Sequence, residues 1–459
     1  MTGPGDPDAA PLDPTATIRS RRFLVLLVLA AGVGLIVSLA SWCFLELIHQ
    51  IQVGVFDDLP DDLGYHHGAP LWWYLPVLGV AGVLAALAIV RLPGHGGHIP
   101  AYGLNAGGGT LPIDLPGVLL AAFATVGLGL VLGPEAPLIA LGGGLGLLAT
   151  RLGRRDVPPQ VAMVVAASGS FAALSLIFDS PLIAAVILIE ATGIGGAKLP
   201  VVLLPGLLAA GIGSLVSIGM GSFTGLSTSA YALGAVDVPA YARPELSDLA
   251  WTIPLAAAAA VFTFAVLRLA RMALPVVARH RLLITPAAGL AVAGLAILFA
   301  ETTDKGAEQV LFSGQSALPS LVADASTWSV GALALVLAFK GLAWSISLAG
   351  FRGGPTFPAL FLGAAGGILA SQLPGLAMTP AIAVGMGAAV VSVLRLPLSA
   401  TLLAIVLTSQ AGPGAWPLII LGVIVAYLVT IWLSPKPAPA PVAPREEPAR
   451  PPAGAAVLR

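Results

Sequence analysis

The feature that most limits what this chain can fold into is the absence of charge over long stretches. No Asp, Glu, Lys or Arg occurs in Phe23 to Leu45, Leu63 to Val90, Leu115 to Pro134, Val157 to Phe178, Leu199 to Val236, Leu249 to Leu267 or Leu282 to Ala300. Beyond Arg352, only Arg395 interrupts neutrality before Lys436. About 20 apolar residues cross a bilayer, so several of these stretches hold one span and the later ones hold more. A soluble chain carries about 25% charged residues, whereas this one has 9%, beside 57% hydrophobic residues. The expectation is an all-α polytopic membrane protein, because a segment in lipid must satisfy its own backbone hydrogen bonds.

The same composition excludes other classes. Net charge is −1 and the basic residues are scattered, so no basic face exists to track a phosphate backbone, and nucleic acid is ruled out as a partner. The single cysteine, Cys43, allows neither an intramolecular disulfide framework nor a thiolate metal cluster. Residues Met1 to Ala16 are Pro/Asp-rich rather than basic and then apolar, so they read as a polar tail and not a removable signal peptide. The expected organisation is a disordered cytoplasmic tail over residues 1–18, a transmembrane domain over 19–434, and a Pro-rich cytoplasmic tail over 435–459. Arg19, Arg21 and Arg22, then Arg151, Arg154 and Arg155, then Arg268, Arg271, Arg279 and Arg281 mark cytoplasmic loops. Acidic groups led by Asp57, Asp237 and Glu301 fall on the opposite side.

An internal repeat is visible. Gly133-Pro-Glu-Ala-Pro-Leu-Ile-Ala-Leu-Gly142 matches Gly354-Pro-Thr-Phe-Pro-Ala-Leu-Phe-Leu-Gly363, and Asp179-Ser-Pro-Leu parallels Arg395-Leu-Pro-Leu in the same order and at nearly the same offset. Two such matches argue for a duplicated unit, with halves of about 23–220 and 248–433. Residue matching alone does not distinguish inverted from parallel repeats. Transporters built in this way place their site between the repeats, on broken helices. Gly133 to Thr150 and Gly353 to Ser371 are each entered through a Gly/Pro turn and read as half-spans, and Gly94-His-Gly-Gly-His-Ile-Pro100 is a third such turn.

The chemistry expected of these turns follows from their backbone. A helix N-terminus presents unpaired N–H groups and about half a positive charge, so three converging in the membrane make an anion site without formal charge. Glu135 stands first among the side chains, because an ionisable group at membrane depth costs at least about 2.5 kcal/mol. In the first turn of a half-helix its carboxylate imitates an anion, and can fill an anion site when ionised and vacate it when protonated. Glu190, at the end of an apolar run, is either a hydrogen-bonded structural residue or a helix-end charge in reach of water. His95 and His98 have i, i+3 spacing, but no Asp, Glu or Cys lies close in sequence to complete a metal site, so no metal is expected. His98 is instead a candidate donor to a passing anion.

Together these motifs resemble the CLC family of chloride channels and chloride/proton antiporters. Its signatures GSGIP, GREGP and GxFxP look like Gly96-Gly-His-Ile-Pro100, Gly133-Pro-Glu-Ala-Pro137 and Gly354-Pro-Thr-Phe-Pro358, and Gly385-Met-Gly-Ala-Ala389 with Arg395-Leu-Pro-Leu398 and Thr401 is similar to a fourth segment. The likeness runs from the first span to about Ser434. It implies an inverted-repeat helical bundle with broken or re-entrant helices, a homodimer with one pore per subunit, and a multi-pass place in the plasma membrane. It puts Glu135 in the position of the gating glutamate, with anion contacts at Gly97, His98, Ile99, Glu135, Ala136, Thr356 and Phe357. There are departures. Gly97 replaces the pore-lining serine, Pro134 replaces an arginine, Pro355 removes an amide, and the segment after Lys436-Pro437 lacks the pore tyrosine. Antiporters of the family often carry an inner glutamate, and its position here is Ala191, directly after Glu190. That pattern resembles the channel members, so the expected function is a chloride channel gated by Glu135, with chloride or a similar small anion and the lipid bilayer as partners and no cofactor. A chloride/proton or fluoride/proton antiporter, with protons as a further partner and Glu190 in the proton pathway, is the alternative within the superfamily. A membrane-embedded enzyme using His95, His98 and Glu135 is the alternative of a different class.

Overall fold

The computed structural model describes residues 14–104, 109–153, 157–226 and 232–434. Seventeen α-helices follow one another among them: α1 (Pro14–Ile18), α2 (Arg21–Val53), α3 (Leu59–Asp62), α4 (Tyr74–Arg91), α5 (Leu115–Ala122), α6 (Glu135–Gly153), α7 (Pro159–Ile177), α8 (Pro181–Thr192), α9 (Leu199–Thr224), α10 (Leu246–Arg279), α11 (Arg281–Thr302), α12 (Ala317–Ala323), α13 (Val330–Gly350), α14 (Thr356–Ala370), α15 (Met378–Leu394), α16 (Pro397–Leu407) and α17 (Trp416–Leu433). Eight of the helical segments are long and apolar enough to cross a membrane, while α8, α14, α15 and α16 have 10 to 17 residues. The 15 residues of α14 span about 22 Å at 1.5 Å per residue, short of the ~30 Å hydrocarbon core.

Local sequence explains where the helices begin and end. Ser20, Ser180 and Ser329 accept from the backbone N–H groups of Phe23, Ile183 and Ala332, capping α2, α8 and α13. Gly193 and Gly225, both left-handed, end α8 and α9. Residues 14–18, expected within the disordered tail, instead form α1, which lies against α9. The tails at 1–13 and 435–459 lie outside the described residues, as do Arg154 and Arg155.

The duplication expected from sequence is the organising plan. Helix α2 packs on α7 and α9, and α7 on α6, α8 and α9; in the second half α10 packs on α15 and α17, and α15 on α14, α16 and α17. Across the halves α4 meets α11 and α8 meets α16. The crossings rest on glycine at equivalent positions. Gly142 of α6 faces Gly169 of α7, and Gly363 of α14 faces Gly385 of α15, with no room for a Cβ at any of the four. Such close backbone approach is how helices associate where lipid removes the hydrophobic drive. Gly133 and Gly354 form an antiparallel bridge, so the two halves meet there in opposite chain directions.

Candidate anion site

The site is built around that bridge. Gly133 N–H donates to the Gly354 carbonyl at 2.8 Å, and Gly354 N–H donates to the Gly133 carbonyl at 2.6 Å. Each glycine is followed by a proline and then by the first residue of a helix: Glu135 opens α6 and Thr356 opens α14. Proline suits this place because its missing N–H would be unpaired in any case. Two helix N-termini therefore start from one point, and each delivers positive potential to it.

Glu135 is completely buried. Its Oε1 accepts the Thr356 N–H at 2.6 Å, across 221 residues of sequence. Its Oε2 has no hydrogen-bond partner among the described residues. A Cβ at Gly354 or Gly133 would fall on this carboxylate, and one at Gly133 would also meet the Phe357 ring. Phe357 in turn stacks on Phe178, at 5.6 Å between centroids. The carboxylate of one half thus lies on the helix N-terminus of the other, walled by glycine backbone, with the Phe357 ring alongside. Among the described residues the sole ion pair is His66–Asp61, so no cationic side chain pairs with Glu135, and its carboxyl group faces backbone dipoles alone. Ala136, half-buried in the first turn of α6, completes the set that the structure brings together: Glu135, Ala136, Thr356 and Phe357.

The third turn differs. Pro100 opens a three-residue 3₁₀ turn, Pro100–Tyr102, and not a half-span, because Gly103 at φ 86° turns the chain away immediately. No helix dipole is aimed from Ile99. The Gly97 N–H is spent inside the turn on the Gly94 carbonyl at 2.8 Å. His98 Nε2 bonds the Gly103 carbonyl at 2.9 Å, and His95 Nδ1 bonds the Ile89 carbonyl at 3.1 Å. Burial, reinforced by the nearby Arg352 charge and opposed by the Gly103 bond, holds the His98 imidazole below its ordinary value of 6.5. His95, His98 and Glu135 have separate backbone partners, and no group of His, Cys, Asp or Glu that could hold a metal occurs among the described residues.

Glu190 does not join this site. It ends α8 and caps α16, accepting from Leu398 N at 2.9 Å, Ser399 N at 2.7 Å and Ser399 Oγ at 2.6 Å. Two buried charges were not singled out as site residues from the sequence. Lys340, fully buried in the middle of α13, donates Nζ to the carbonyls of Gln309 (3.0 Å), Val310 (3.3 Å), Leu311 (2.8 Å) and Phe312 (3.3 Å), over the Phe361 ring. Arg352, directly before the Gly353-Gly354 turn, is 4% exposed. A lone cation inside an apolar run was the signal available for both.

Comparison with known proteins agrees with this geometry. The family model described as voltage gated chloride channel matches residues 81–431. A protein of Escherichia coli O139:H28, provisionally named ion-transport protein YfeO, is 29% identical over 359 residues, covering 76% of this chain and 80% of its own length. Among solved structures, a slow cyanobacterial Cl⁻/H⁺ antiporter superposes with a TM-score of 0.73 at 21% identity, over 90% of this chain and 95% of the other. A CLC-type fluoride/proton antiporter follows at a TM-score of 0.67 and 17% identity, over 89% and 95%.

Proposed function

The chain belongs to the voltage-gated chloride channel family, and from that premise we propose that it is a chloride channel gated by the Glu135 carboxylate. Membership makes it a multi-pass membrane transport protein for small anions and not an enzyme. The observation that carries the gate is the buried Glu135 carboxylate seated on the Thr356 N–H at the start of α14. An ionised carboxylate there takes the place of a permeating anion. Protonation removes its charge and frees the donors. The anion then meets the amides of Glu135, Ala136, Thr356 and Phe357, with His98 and the Gly97–Ile99 turn further along the route.

Two features favour a channel over an exchanger. Ala191 stands where the resemblance puts an inner proton acceptor, and Glu190 has both carboxylate oxygens committed to α16. We assign Glu190 to helix docking rather than proton relay. We further place the protein as a homodimer in a bacterial-type plasma membrane, one pore per subunit, with the basic loops and both termini in the cytoplasm.

Purified protein in liposomes, read with chloride and pH electrodes together, tests this. Chloride efflux that rises as pH falls, without linked proton movement, is expected. Glu135→Gln should keep the flux and lose its pH dependence. A proton gradient driving uphill chloride accumulation would replace the channel by an antiporter, and pH dependence surviving in Glu135→Gln would remove the gate from Glu135.

A further inference from the structure

Away from Glu135, two arginines wall a single open cleft. Tyr102, Arg271, Val393 and Arg395 are among the residues that line this cavity of about 250 Å³. They come from three places: the turn that starts at Pro100, the C-terminal part of α10, and the end of α15. Arg271 and Arg395 lie within electrostatic range of each other. Two like charges brought to one cleft raise each other's energy, and a negative group between them turns that repulsion into two attractions. The cleft adjoins the third turn through Gly103, whose carbonyl takes His98 Nε2 at 2.9 Å and where a Cβ would lie 3.2 Å from the Val393 carbonyl.

Both arginines are held in place. Arg271 Nε donates to the Ala101 carbonyl at 3.0 Å, and Arg395 Nη2 donates to the Ser434 hydroxyl at 2.7 Å. Each anchor engages one of the five N–H donors of a guanidinium and fixes the position of the group. Arg395 also ends α15 in left-handed backbone, with φ 57°. That conformation is cheap for glycine and costly for other residues, and side chains kept in it gather at functional sites. Tyr102, 63% exposed, adds a phenolic hydroxyl to the lining.

Size and chemistry select the occupant. Pockets for drug-sized ligands measure about 300–1,000 Å³, so a whole large ligand does not fit inside. The cavity is nonetheless several times the ~30 Å³ that a water molecule takes up in the liquid, and one halide would leave most of it unfilled. Guanidinium groups match phosphate oxygens in pairs, and a phosphate monoester carries about −1.5 to −2 charges near pH 7, enough to face two cations. We propose that this cleft binds a doubly charged phosphate group, as inorganic phosphate or a phosphomonoester headgroup, between Arg271 and Arg395. The site is separate from the amides around Glu135 and is built from side-chain charge.

Isothermal titration of the purified full chain in detergent tests this without any flux measurement. Excess sodium chloride keeps halide sites filled throughout, and the probes are inorganic phosphate in one arm and short-chain phosphatidic acid, below its micelle concentration, in the other. Saturable binding is expected. Tighter binding of phosphatidic acid would identify a lipid headgroup as the source of the phosphate, and tighter binding of inorganic phosphate a soluble one. Arg395→Gly suits the left-handed backbone and should fold, and loss of its charge-assisted contacts should weaken binding by about tenfold or more. Arg271→Gln should weaken it to a similar degree, with Arg271→Lys recovering part of the loss. Saturable binding of neither probe, or unchanged affinity in Arg395→Gly, would overturn the proposal.

Discussion

The two halves of the molecule use one backbone plan and opposite chemistry. In each, a glycine enters the central bridge, a proline follows, and a helix begins. Each approach to the bridge is also steadied by a hydroxyl from the other half: Val131 N–H donates to Ser347 Oγ at 3.2 Å, and Arg352 N–H to Thr125 Oγ1 at 3.4 Å. The side chains do not follow the symmetry. Glu135 in the first half corresponds to Thr356 in the second, and Arg352 in the second corresponds to Val131 in the first. One half brings a negative charge two residues beyond its bridging glycine, and the other a positive charge two residues before. Duplication supplies a pair of helix N-termini, which is what an anion needs. Gating requires that only one of them carry a carboxylate, since two would repel each other and leave no donor free.

The comparison breaks most completely if the carboxylate changes sides. In Glu135→Thr/Thr356→Glu the carboxylate would reach the first amides of α6 from the opposite direction. Flux should remain pH-dependent but respond to pH on the other face of the membrane, which a liposome assay with separate inner and outer buffers reads directly. Unchanged sidedness would mean that the halves are not interchangeable at this point.

A smaller effect concerns the glycines. Gly354→Ala places a methyl on the Glu135 carboxylate, and overpacking of this kind costs about 1–3 kcal/mol. Thermal unfolding in detergent should show the loss, and Glu135→Ala on the same background should restore most of it. A double variant no better than Gly354→Ala would place the strain in the backbone instead.

Helix α8 is capped by its own Ser180, whereas α16 borrows its cap, Glu190, from the first half. Glu190→Ala should cost about 1–2 kcal/mol, and Ser399→Ala should add little on top, because both remove the same anchor. Additive losses would show that Glu190 does not act through α16.

The smallest expected effect is at the third turn, which has no counterpart in the repeat motif. With the folded-state value of His98 held below its ordinary 6.5, the unfolded chain takes up the proton first as pH falls, so this residue destabilises the fold progressively below about pH 6.5. Replacing His98 by Gln should flatten the decline in melting temperature between about pH 7 and pH 5. An unchanged slope would show that the decline is carried by other groups.

What could be read without coordinates was whatever a single stretch of sequence contains. Glu135 announces itself as a carboxylate in an apolar run behind a Gly/Pro turn, and the repeat is legible because proline and glycine recur in register. The direction of the repeat was legible only through the resemblance to the CLC family, since the residue matches themselves are the same for parallel and inverted copies. The partner of Glu190 lies 208 residues away on α16, beyond any local pattern. The third turn was misjudged because Pro100 looks like a helix start while Gly103, three residues on, cancels it. Arg352 was visible as a charge, but the absence of a carboxylate beside it is a property of the packed structure alone.

The bridge between Gly133 and Gly354 also sets a timetable. When Gly133 leaves the ribosome, the residue that must pair with it has not been made, and at 5–20 residues per second the wait is roughly 10–40 s. Throughout that interval Glu135 has no Thr356 amide to sit on, and a bare carboxylate is poorly tolerated in lipid. The first half must therefore stay near the interface or in the insertion machinery, or carry its carboxyl protonated, until the second half arrives. Variants that slow synthesis between the halves would then lower the yield of inserted protein without altering a single contact of the finished one.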